Sequence, residues 1–368
     1  MLCIIMIGMM VAVGGYTRLS GSGLSITEWK PIHGTIPPLN AAQWQEEFDK
    51  YRAIPQYKQL NLGMSLDEFK GIYWPEYWHR NLGRLIGMVY ALPMFFFMFR
   101  KAFIGWFNVR MLIILGLGGL QGLIGWIMVA SGLQDRLYVH HLKLALHFGT
   151  AMLLAAAVFW AWLGVKNSTS SALPEAAPPP SSSPPPSPSS PPLGAGRALL
   201  LITLLIFAQL IMGALVAGLH AGLIYNSFPT MNGDWIAPDV FTYDGSWFDH
   251  VPMVQFVHRW MAKLIVALAI VWWFVYYRSA LSPSQRGLGA SIEQKDLALS
   301  RDNSVPKAWR CFVLVLFAQF MLGILTLINA APLHWALLHQ IGGFLLLLAA
   351  LNLYFQLKLR QNISVQHG

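Results

Sequence analysis

Apolar and polar positions along this chain fall into long blocks, not into the short alternation of half-buried strands. Eight apolar blocks reach the roughly 20 residues that a helix needs to cross a bilayer. They are Met1–Leu19, Leu82–Phe99, Val109–Ala130, Leu137–Leu163, Ala198–Leu219, Val257–Tyr277, Arg310–Ala330 and Leu333–Leu357. The pattern predicts an all-α, polytopic membrane protein with eight transmembrane helices. Two connections, residues 20–78 and 220–256, are long and rich in Trp, Pro and Gly. Connections of that size are usually functional, often as lids.

Composition strengthens this reading. Apolar residues make up 55% of the 368 and charged residues 11%, against about 25% charged in soluble domains. A soluble globular enzyme, a disordered chain and a disulfide scaffold are excluded. The two cysteines, Cys3 and Cys311, lie far apart in apolar blocks and are expected to be buried thiols. The net charge of +9 reads as loop bias, because no basic cluster interleaves with exposed aromatics as nucleic-acid binding requires.

That bias has a direction. Arg100, Lys101 and Arg110 separate the second and third spans without an acidic neighbour. Arg278, Arg286, Lys295, Arg301, Lys307 and Arg310 outnumber Glu293, Asp296 and Asp302 between the sixth and seventh, and the tail adds Lys358 and Arg360. The 220–256 connection holds Asp234, Asp239, Asp244 and Asp249 and no Lys or Arg. The positive-inside rule puts both termini on the cytoplasmic or matrix side and the two long loops outside. The first span starts at Met1 with no charged or Arg/Ser-rich leader before it, which leaves a start further upstream open.

The low-complexity stretch Ser171–Pro192 is expected to be a disordered or polyproline-like linker. It divides two similar halves. Trp78-His79-Arg80 and Val257-His258-Arg259 are expected to open the second and sixth spans, each followed by Leu-Ile at one offset (Leu85-Ile86, Leu264-Ile265). Gln121…Gly125, Gln209…Gly213 and Gln319…Gly323 recur, and Gly14, Gly23 and Leu24 match Gly213, Gly222 and Leu223. The expected architecture is a four-helix bundle over 1–165, a linker over 166–197, a second bundle over 198–357 and a tail over 358–368. A pseudo-twofold axis along the membrane normal relates bundles of this kind.

Four of the 11 histidines stand at matched places inside the even-numbered spans: His79, His147, His258 and His339. An ionisable residue within a span is costly and functional by default, although one alone could be a satisfied interhelical donor. His140, His141, His220 and His334 read more simply as interfacial, and His33, His250 and His367 as loop or tail residues. Two imidazoles on facing helices of a bundle make a bis-histidine haem site, so each half is expected to hold one haem iron. Arg80 and Arg259 adjoin two of these histidines and are candidates for haem propionates. Zinc fits less well, because each half lacks three clustered ligands. The halves differ at one position: Glu76 precedes His79 by three residues, where Gln255 precedes His258. The carboxylate points to acid, base or electrostatic chemistry in the first half and electron transfer in the second. Glu76 could also be a helix-start residue favoured by the dipole.

The stretches GGYTRLSGSGLSITEWKPIHGTIPP (14–38), NLGMSLDEFKGIYWPEYWHRNLGR (61–84), AGLHAGLIYNSFPTMNGDW (217–235) and FVHRWMAK (256–263) resemble the haem A synthases, in particular their mitochondrial and related bacterial branch. The resemblance implies oxidation of the C8 methyl of haem O to a formyl group, by two hydroxylations and loss of water, giving haem A for cytochrome c oxidase. It implies that His79 and His147, with Arg80, form the substrate haem O pocket. It makes His258 and His339, with Arg259, the haem b cofactor site, and Glu76 the catalytic acidic residue. Glu76 would stabilise a developing carbocation or take a proton. Some relatives carry cysteine pairs in the outer loops, which this chain lacks.

The resemblance further implies a ferredoxin-type electron donor and partnership with haem O synthase and cytochrome c oxidase assembly factors in a lipid membrane. No nucleic-acid partner is expected, and homo-oligomerisation is left open. The Pro/Ser insert, more typical of eukaryotic chains, favours a mitochondrial inner membrane with both termini in the matrix over a bacterial plasma membrane. Two other readings compete: a di-haem b-type electron-transfer protein, which gives no reason for Glu76 in one half only, and a haem carrier without chemistry.

Overall fold

The computed structural model describes residues 1–30, 32–102, 105–171, 193–280 and 304–366. Among them the chain is helical, with no strand beyond an isolated bridge between Met231 and Asp234. Eight helices are long and apolar enough to cross a membrane: α1 (Leu2–Leu19), α4 (Leu66–Phe99), α5 (Trp106–Ala130), α6 (His141–Ser171), α7 (Leu193–Gly218), α8 (Val251–Ala280), α9 (Ser304–Ile328) and α10 (Leu333–Gln366). Two shorter helices, α2 (Ala41–Arg52) and α3 (Pro55–Leu60), lie in the first long connection. The Pro/Ser linker and most of the charged connection between α8 and α9 lie outside the described residues.

The eighth span begins at Leu333 as expected, and only the second begins far from its expected start. The second span starts at Leu66, not at the His-Arg motif, and the sixth at Val251. Hydropathy marks only the apolar stretch, whereas the helix is set by its cap. Ser65 Oγ accepts from the Glu68 amide, and the Glu68 carboxylate accepts from the Ser65 amide at 2.8 Å, a reciprocal capping box. Glu76 is therefore well inside α4 and is not a helix-start residue. The cysteines are also corrected: Cys3 is half-buried and Cys311 exposed. Both lie in long apolar helices, on faces that protein covers only partly at Cys3 and does not cover at Cys311.

The described residues form two compact units. The first comprises residues 1–158, 210–258 and 322–344 and contains both long connections. Its first connection is folded into a cap. α2, α3 and the first turns of α4 enclose Phe48, Tyr51, Tyr57, Phe69, Tyr73 and Tyr77, with Tyr51 and Phe69 fully buried. Lys50 ties the rim by pairing with Glu28, Glu46 and Glu47 at 2.7–2.9 Å. The second connection is mostly irregular, around Met231, Ala237, Val240 and Met253.

Small residues set the helix packing in this unit. Gly15 of α1 faces the Gln340 side chain of α10, whose amide donates to Val11 O at 2.8 Å. Gly149 of α6 faces Ile211 of α7, and Gly218 of α7 faces His141 of α6. The second unit comprises the described residues within 159–209, 259–321 and 345–368. It is held by aromatics: Trp272 Nε1 donates to Ala195 O at 2.8 Å, and Trp273 stacks on Trp309 at 4.9 Å.

Candidate active site

All four span histidines lie in the first unit, and each packs on a glycine of a neighbouring helix. A Cβ on Gly14 of α1 would stand 2.8 Å from the His79 ring, and one on Gly125 of α5 would stand 2.9 Å from His147. In the second half, a Cβ on Gly213 of α7 would be 3.2 Å from His258, and one on Gly323 of α9 would be 2.9 Å from His339. Gly14 matches Gly213 and Gly125 matches Gly323, so the same helix-to-helix nest recurs in both halves. Each ring is only half-buried.

The second-half pair has the spacing of two ligands to one metal. The ring centroids of His258 and His339 are 6.4 Å apart, with planes at 87°. Imidazoles on opposite sides of one metal ion, each bonded at about 2 Å, place their centroids about 6 Å apart. The arrangement therefore fits bis-histidine ligation of an iron. In the first half, His79 stands on α4 and His147 on α6. His147 is further fixed by Gln121, whose amide lies 3.2 Å from Nδ1 and donates to the His147 carbonyl at 3.0 Å.

Glu76 is 2% exposed, and both its oxygens are engaged. Oε1 accepts from Arg80 Nη2 at 2.6 Å and Nε at 3.1 Å. Oε2 accepts from Ser25 Oγ at 2.8 Å and from the Ile26 amide at 2.9 Å. A buried carboxylate is tolerated when a cation and further donors replace its water, and this cage provides both. Arg80 completes its own contacts on the carbonyls of Ile26, at 2.6 Å, and Glu28, at 2.8 Å. Helix spacing brings Glu76 and Arg80 together as an i, i+4 pair, and the chain leaving α1 supplies the remaining partners.

The second half repeats the position without the charge. Gln255, also 2% exposed, donates through Nε2 to Ile224 O at 2.5 Å. Ile224 matches Ser25 when Gly14 is set on Gly213. The Gln255 Oε1 is buried with no hydrogen-bond partner. Arg259 is buried as well.

The cytochrome oxidase assembly protein family matches residues 1–351. The chain belongs to this family. It is 42% identical over 355 residues to a heme A synthase of Nitrosomonas eutropha, covering 95% of this chain and 90% of the relative. It is 42% identical over 340 residues to heme A synthases of Brucella ovis and Brucella abortus, covering 92% of this chain and 84% of each.

In this member of the cytochrome oxidase assembly proteins, the structure brings Glu76 and Arg80 into one ion pair and His258 and His339 into one facing pair. It does not leave Arg80 open, since Glu76 and two carbonyls hold it. Sequence reasoning missed Ser25 and the Ile26 amide, and it used Gln121 and the four glycines only as markers of the repeat. The glycines were findable, because they recur at matched offsets on the odd spans just as the histidines do on the even ones. The cage around Glu76 was not, because the contacts span about 50 residues. Among the histidines read as interfacial, His141 is buried and lies 2.9 Å from Asp249. His220 stands against Tyr138 with ring centroids 4.6 Å apart.

Proposed function

We propose that the chain is a haem A synthase, an integral membrane oxidoreductase that converts the C8 methyl of haem O to a formyl group. Its similarity to heme A synthases at 42% identity over nine-tenths or more of its length carries this reading. The four glycine-nested histidines and the single carboxylate beside one pair supply its chemistry.

The division of labour follows the two halves, which are read as tandem four-helix bundles. His258 and His339 would hold a resident haem b. Their 6.4 Å separation, the glycine nests behind them and the neutral Gln255 beside them support that assignment. A haem b bound there supplies one-electron redox chemistry. His79 and His147 would hold the iron of haem O. The glycine nests leave each ring against a backbone, so its orientation is fixed before substrate arrives, which lowers the ordering cost of binding.

Glu76 would act on the reacting methyl. Four donors hold its carboxylate in one place, so its negative charge is fixed before reaction. Preorganised charge in a water-poor site stabilises developing positive charge without reorganisation. Proton uptake at Glu76 would first require an Oε contact to break. Glu76 therefore serves best as a fixed anion, and Arg80 and Ser25 as the groups that hold it.

The electron donor is read as a ferredoxin-type protein, with haem O synthase and oxidase assembly factors as partners. The loop charges favour termini on the cytoplasmic or matrix side. The Pro/Ser insert favours a mitochondrial inner membrane, while the relatives compared are bacterial.

The test is haem extraction and mass spectrometry on protein purified from a host that makes haem O and supplies a reductant. Haem A, or its hydroxymethyl precursor, beside haem B is expected. Haem B alone, with haem O in the same membranes, would overturn the enzyme reading in favour of an electron carrier.

A further inference from the structure

The tetrapyrrole substrate carries two ring carboxylates, and the cation expected to meet them, Arg80, is bound to Glu76 and two carbonyls. Other cations stand a turn or more before His147. At the loop end of α5 and α6, a cavity of about 490 Å³ is lined by Trp126, Arg136, His140 and Lys143, with Asp135 also in its wall. That volume lies within the range of small-molecule sites. Trp126 adjoins Gly125, the glycine under His147, and stacks on Trp29 at 5.7 Å. Burial, and then Arg136, His141 and Lys143 beside it, push the His140 imidazole below the usual histidine range, with Asp249 opposing.

The register of the helices is the stronger argument. α4 and α6 are the second and fourth spans and run in the same direction. Glu76 precedes His79 by three residues, and Lys143 precedes His147 by four. Both therefore lie about one turn, roughly 5 Å, toward the loop end of the histidine on their own helix. On the ring of haem O, the carbon that bears the reacting methyl neighbours a carbon that bears a propionate. A cation one turn beyond one histidine and an anion one turn beyond the other suit those neighbouring groups. The second half has Trp335 where Lys143 stands, four residues before His339.

We propose that this cavity receives the substrate's ring carboxylates, with Lys143 and Arg136 as cationic partners. Lys143 takes the propionate beside the reacting methyl and so sets that methyl toward Glu76. The inference rests on the reading of haem O as substrate and adds the residues that fix its orientation. Carboxylates paired in this way stay near the aqueous boundary, where the cost of desolvating them is small.

The test uses the full chain with its resident haem, titrated with haem O and with haem O dimethyl ester and followed by tryptophan quenching. The unaltered protein should bind the free acid at least tenfold more tightly than the ester. The double variant Arg136→Gln/Lys143→Gln should bind both alike, near the ester's affinity for the unaltered protein, with the resident haem spectrum unchanged. The charge-keeping pair Arg136→Lys/Lys143→Arg should restore the preference. Equal binding of acid and ester by the unaltered protein, or a preference retained in the glutamine variant, overturns the inference and leaves the haem O reading intact. Failure of the unaltered protein to bind either compound overturns the reading and the inference together.

Discussion

Glu76 and Gln255 each stand three residues before a glycine-nested histidine, one in each half of the chain, and their surroundings differ in kind. The carboxylate has four donors on it, one from a serine that is matched in the other half by Ile224. The amide has one hydrogen bond to a carbonyl and leaves its own oxygen buried without a partner. The histidine–glycine nests, in contrast, are common to both halves within a few tenths of an ångström. The device for holding an imidazole pair is thus duplicated, and the charge is not. A buried anion is tolerated only where donors and a cation replace its water; both halves carry the arginine, as Arg80 and Arg259, and only the first carries Ser25 and Glu76.

The largest effect should come from removing the charge. Glu76→Gln makes the first half resemble the second and leaves Arg80 without its counterion. We expect haem A formation to fall by 100-fold or more, while haem b stays bound through His258 and His339. Breaking one partner of a buried pair costs about 3–5 kcal/mol, so the melting temperature should fall as well. Haem A to haem O ratios and the visible spectrum of the purified protein are the readouts. Normal turnover in this variant would remove the contrast between the halves.

The glycines break the comparison from the other side. Overpacking a filled site costs about 1–3 kcal/mol, and every added Cβ would meet an imidazole at 3.2 Å or less. Gly323→Ala or Gly213→Ala should lower resident haem b content or shift its spectrum and midpoint potential. Gly125→Ala or Gly14→Ala should slow haem O conversion about tenfold, with the resident haem unchanged. If the Gly125 variant alters the resident spectrum and the Gly323 variant does not, cofactor and substrate have been assigned to the wrong halves.

Eight apolar blocks, four histidines and the Glu76/Gln255 difference were all legible in the sequence, because each is carried by residue type and spacing along one helix. Hydropathy misplaced the start of α4 by 16 residues, from Leu82 to Leu66. The polar turns around Trp74 and Glu76 belong to the helix but not to its apolar stretch. The folded cap of α2 and α3 was legible only as a long connection, since its core is assembled from aromatics spread between Phe48 and Tyr77. The partners of Arg80 were hidden for a related reason. A cation next to a ligand histidine looks available until the chain beyond α1 brings the Ile26 and Glu28 carbonyls against it. Contacts across 50 residues leave no local pattern to read.

Ser25 offers the finest division of the cage. Its hydroxyl is one of two donors to Glu76 Oε2, the other being the Ile26 amide, which no side-chain substitution removes. Ser25→Ala therefore takes away one donor and leaves the charge, the Arg80 pair and the backbone bond in place. A hydrogen bond of this kind contributes about 0.5–1.5 kcal/mol net, and somewhat more to a charged acceptor, so turnover should drop by roughly three- to tenfold. The resident haem spectrum should not move. Ser25→Thr keeps the hydroxyl and should recover most of the loss, which a purely steric role for Ser25 would not allow, because threonine is the larger side chain. Equal turnover of the alanine and serine proteins would mean that Arg80 and the Ile26 amide alone hold the carboxylate. The difference between the halves would then reduce to one charged pair.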